Sequence, residues 1–109
     1  MTRGEALSAH ELIFPPEFLE YEYEYEAKGY LSGARIVVGE QRADVVFYEP
    51  VRLSQDIADE LADAGYLAFT NLVVVPQVTK DALIHAVDLL AEADFAELTF
   101  RGDPRNPDE

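Results

Sequence analysis

A chain of 109 residues with 49% hydrophobic side chains is sized for one folded core and is too apolar for a disordered acidic tail. It has no cysteine, which excludes disulfides and thiolate metal sites. Twenty-two acidic against eight basic side chains leave a net charge of −14, which repels the phosphates of nucleic acid and of anionic membranes.

The first residues, Met1-Thr2-Arg3-Gly4-Glu5, lack the apolar centre of a signal peptide. The longest apolar runs are four residues, far short of the roughly 20 that span a bilayer. A cytoplasmic location is the expectation. Residues 1–18 read as an arm with a short helical turn, because Ser8-Ala9-His10-Glu11 fits a capping box. Leu12, Ile13 and Phe14 follow, and Pro15-Pro16 ends any helix. Residues 19–101 read as a single domain, and 102–109 as a proline-broken, flexible tail.

From Leu19 to Ala27 glutamate and tyrosine alternate strictly, and a period of two is that of a β-strand. The expected strand carries Leu19, Tyr21, Tyr23, Tyr25 and Ala27 on a buried face. Glu20, Glu22, Glu24 and Glu26 lie on the other, with carboxylates roughly 6.6 Å apart. Ala34 to Val38 reads as a second strand, Gly39-Glu40-Gln41-Arg42 as a hairpin loop, and Asp44 to Glu49 as a third strand. Beyond Ser54, a plausible N-cap, Ile57, Ala58, Leu61 and Ala64 recur at helical spacing, and Gly65 follows as a stop. Leu72-Val73-Val74-Val75 is a short apolar strand closed by Pro76. Thr79 caps a second helix that buries Leu83, Ala86, Val87 and Leu90, and Phe95 to Phe100 reads as a last strand. The order is βββαβαβ. It implies an α+β two-layer sandwich, a mixed sheet of about five strands with two helices on one face.

Three groups of residues are candidate sites. The first is the glutamate row Glu20, Glu22, Glu24 and Glu26, aligned for arginine pairing with a partner or simply solvated. The second is the set Asp56, Asp59, Glu60 and Asp63, which share one face of the first main helix. They lack the backbone-oxygen loop of a calcium site, so no metal is expected. The third is a small cleft where the two strand-to-helix proline loops would bring Glu49, Arg52 and Gln77 together. His10 and His85 lack metal-ligand spacing, and no glycine-rich phosphate loop or nucleophile elbow is present, so no cofactor and no catalytic residue is expected.

A charge of magnitude about 2–8 suffices to keep a small domain soluble, so −14 asks for a reason. The leading expectation is a small acidic interaction protein, an inhibitor-like, antitoxin-like or regulatory partner that covers a basic protein surface. A small enzyme or ligand-binding domain using the Glu49, Arg52 and Gln77 cleft is the alternative. A third is a homodimeric subunit, joined through Ile13, Phe14 and Phe18 or a sheet edge, from a host whose proteins are generally acidic.

Overall fold

The computed structural model describes residues 10–102. Four strands and three helices follow one another as β1 (His10–Ile13), α1 (Glu22–Lys28), β2 (Tyr30–Val38), β3 (Gln41–Tyr48), α2 (Pro50–Asp63), β4 (Leu72–Val74) and α3 (Lys80–Glu92). The class is α+β with a mixed sheet, as expected. The order β1-β2-β3-β4 is an antiparallel meander of three strands with β4 added parallel to β3.

Residue chemistry explains the register. Val38 pairs with Gln41, so the hairpin loop shrinks to Gly39-Glu40, and Gly39 takes φ 60°, a conformation open to glycine at little cost. An irregularity between Leu31 and Ala34 re-phases β2, so that Leu31, Ala34 and Ile36 all face inward. They meet Ala43, Val45 and Phe47 of β3 and the stripe Leu83, Val87 and Ala91 of α3. Thr79 caps α3 as its sequence indicates, its hydroxyl accepting from the Ala82 amide at 3.2 Å.

The glutamate–tyrosine stretch is the main correction. It is not a strand but a turn followed by α1. Glutamate favours helix, and Lys28 before Gly29 is a helix ending: Gly29 has φ 82° and its amide closes on the Tyr25 carbonyl at 2.9 Å. Tyr25 leans on Phe18 with ring centroids 5.5 Å apart, whereas Tyr23 is 69% exposed, so the tyrosines share no buried face. The edge place in the meander belongs to His10–Ile13, where a helical turn was expected. Ser8, its expected cap, and the tail beyond Gly102 lie outside the described residues.

Two further expectations change. Phe95 to Phe100 forms no strand, because Asp94 and Phe95 both adopt positive φ. Only Arg101 bridges Arg42, while the Asn71 side chain takes the Thr99 amide and carbonyl at 2.8 and 2.9 Å and the Asp44 carbonyl at 3.1 Å. Among the described residues the sheet is therefore four-stranded rather than about five. The two main helices also do not share the burial of one face: the core takes residues from α3 and none from α2.

Candidate functional site

The longest helix, α2, is amphipathic yet, like the shorter α1, has no buried residue. Its start is built by the strand before it. Glu49, at the end of β3, accepts from the Arg52 amide as N-cap, and Pro50 occupies the first turn, where its missing N–H costs nothing. The Glu49 amide donates to the Gly29 carbonyl at 2.9 Å, fastening the helix to the end of α1. Arg52 donates to Asp56 at 2.9 Å and to the Lys28 carbonyl at 3.3 Å, with its guanidinium 4.8 Å from the Tyr30 ring centroid. Tyr48, a buried residue at 4% exposure, donates its hydroxyl hydrogen to the other oxygen of Asp56 at 2.5 Å.

This cluster is a root that fixes the first two turns of α2. Tyr48 is pushed up to about 12 by burial, by its hydrogen bond to the Asp56 carboxylate and by that group's negative charge. A phenol whose pKa is raised from 10.0 stabilises the fold fully below pH 10, and the contribution disappears as pH rises towards 12. The expected result is a stability advantage of wild type over Tyr48→Phe that is constant in neutral solution and shrinks through that alkaline window. Urea midpoints measured across pH check it; an advantage that grew with pH would show the bond to be absent.

Beyond the root the helix leaves the fold. Only Arg52, Leu53 and Asp56 are even half-buried, and every residue from Ile57 to Tyr66 is exposed. Ile57 and Leu61, whose spacing foretold a core-facing stripe, are 38% and 52% exposed. Asp59, Glu60 and Asp63 line a neighbouring face, and among the described residues none of them is in an ion pair. Asp56, their companion in the sequence pattern, is separated in role by its engagement with Arg52 and Tyr48.

The other candidates are spread out. Glu20 lies in the turn ahead of α1, and Glu22, Glu24 and Glu26 lie on α1 itself. Glu22 reaches across to accept from the Lys80 amide at 2.7 Å and so supports the start of α3. Glu49 and Arg52 do sit together, each engaged in the α2 root, while Gln77 is exposed in the loop between β4 and α3. A depression of about 420 Å³ lies elsewhere, between β4 and α3, lined mainly by Leu72, Val74, Leu89, Leu90 and Leu98. Among the described residues no group of three His, Asp or Glu side chains is placed to hold a metal ion, and no helix is long and apolar enough to cross a membrane.

Comparison with protein-family models, with curated proteins and with solved structures finds no match to this chain. The functional reading therefore rests on the site's own chemistry. Sequence reasoning passed over Tyr30 and Tyr48 as parts of the α2 root. The signal was present: Arg52 and Asp56 are an i, i+4 pair on a helix that begins two residues after a tyrosine.

Proposed function

We propose that this protein is an interaction module that binds a basic surface on another protein, with α2 as its principal contact element. The observation that supports this is the exposed second half of α2, where Asp59, Glu60 and Asp63 are in no ion pair among the described residues, on a chain of net charge −14. Holding like charges together this way costs stability, and an opposing row of arginines or lysines removes the cost on binding. Complementary fields of this kind act mainly on the rate of association, which falls as salt is added.

An oligolysine peptide is a suitable probe. Wild-type protein is expected to bind it at low salt and release it at high salt. Changing Asp59→Asn, Glu60→Gln and Asp63→Asn together should slow association about tenfold at low salt while leaving the fold intact or slightly more stable. Stopped-flow fluorescence anisotropy reads the rate, and an unchanged rate in the triple variant would remove α2 as the contact. The same measurement on Glu20, Glu24 and Glu26 variants separates a dedicated helix from a diffuse acidic surface.

A further inference from the structure

Charge alone does not explain why α2 leaves its apolar side uncovered. Ile57, Leu61 and Ala64 stand at i, i+4 and i+7, the spacing of a seam between two packed helices. All three are exposed, and among the described residues the core and the apolar side chains packed against it include no residue of α2. The seam has unlike edges. On one side it meets Glu60, with Asp56 and Asp63 behind it; on the other it meets Ser54 and Ala58, small and uncharged. No basic residue follows Arg52 on the helix.

We infer that this seam is the docking face for a cationic amphipathic helix of the partner protein, one with leucine-like side chains along its centre and lysine or arginine beside them. The inference rests on the proposed function and adds the shape and composition of what is bound. An amphipathic helix buries Ile57 and Leu61 along their length, and its basic edge meets Glu60 and Asp63. A second copy of this chain fits the seam less well, because it brings another −14 and another acidic edge. Nucleic acid satisfies neither the seam nor the charge.

Two peptides of equal positive charge separate the possibilities: a helix with a leucine stripe flanked by lysines, and an oligolysine with no stripe. The full chain should bind the striped peptide at least tenfold more tightly than oligolysine by isothermal titration calorimetry. Ile57→Gln with Leu61→Gln should abolish that preference and leave oligolysine binding unchanged. Glutamine keeps helix propensity and both positions are exposed, so circular dichroism should be unaltered; Leu61→Gln alone is the milder check. A striped peptide that gains nothing over oligolysine, or a preference that survives in the double variant, overturns the docking face while the charge reading stands. Binding of neither peptide at low salt overturns both. A wild-type chain that sediments as a dimer, and a double variant that sediments as a monomer, would assign the seam to a second copy instead.

Discussion

Phe18→Ala is expected to lower the free energy of unfolding by about 3–5 kcal/mol. Phe18 is fully buried, stacked on Phe14 at 4.8 Å and tilted against Tyr25 at 5.5 Å. The two prolines ahead of it set up the turn that brings it inward: the Phe18 amide donates to the Pro15 carbonyl at 3.1 Å. This residue joins the N-terminal segment to the core between β2 and α3, so its loss empties a site that several elements line. It is also withdrawn from the dimer contact that its place in an apolar arm suggested, whereas Ile13 remains 41% exposed. Tyr23→Ala, five residues on, is the control and should cost no more than about 0.5 kcal/mol, because its ring is in water. Urea unfolding of both variants with an unchanged m-value decides the matter. If the two losses came out equal, the helical assignment of the glutamate–tyrosine stretch would fall with them.

Gly29→Ala is the second large effect, about 3 kcal/mol, and it has two separable causes. The backbone at Gly29 has φ 82°, where an L-residue pays about 1–2 kcal/mol. The added methyl would also lie 2.8 Å from the Arg52 Cβ and 2.9 Å from a Glu49 carboxylate oxygen. Those are the cap and the anchor of α2, so the substitution disturbs the root as well as the turn. Gly65→Ala isolates the first cause: its φ is 87° and nothing lies within 4 Å of the new carbon. Chemical denaturation of the pair should show Gly29→Ala as the costlier by more than about 1 kcal/mol. Equal losses would mean that α2 is not held at Gly29.

Much of the second half was legible because it follows single, local rules. Thr79 caps α3, Leu83 and Val87 face the core from it, and the short apolar run at Leu72 pairs as a strand beside β3. The first half misleads where one pattern serves two structures. Alternating glutamate and tyrosine has the strand period, yet the stretch satisfies its backbone as a helix that Lys28 and Gly29 end, and of its tyrosines Tyr25 packs against the core while Tyr23 is 69% exposed. At Phe95 two events that no periodicity records act together: Asp94 and Phe95 take positive φ, and Asn71 takes the Thr99 backbone that a fifth strand would have used. The acidic face of α2 and the apolar stripe beside it were both readable from their spacing, but the exposure of that stripe was not. Ile57 and Leu61 have the periodicity of core residues, and periodicity records that a helix has two faces without saying which one the rest of the chain covers.

The attachment of α2 by one end has a consequence for how it behaves before anything binds. A helix of 14 residues is close to the length at which an isolated helix is marginal in water. Here the Glu49 cap and the Arg52 and Tyr48 contacts to Asp56 supply the nucleus, so the remaining turns only have to propagate. With no buried side chain to hold them, the outer turns are expected to open more readily than the sheet, which hydrogen exchange would read as faster exchange of the amides of residues 61–63 than of those in β3. A partner of the kind proposed above would have to hold them ordered, at the cost of part of its contact energy. For the complex proposed above, that cost would weaken the net affinity and shorten the lifetime of binding.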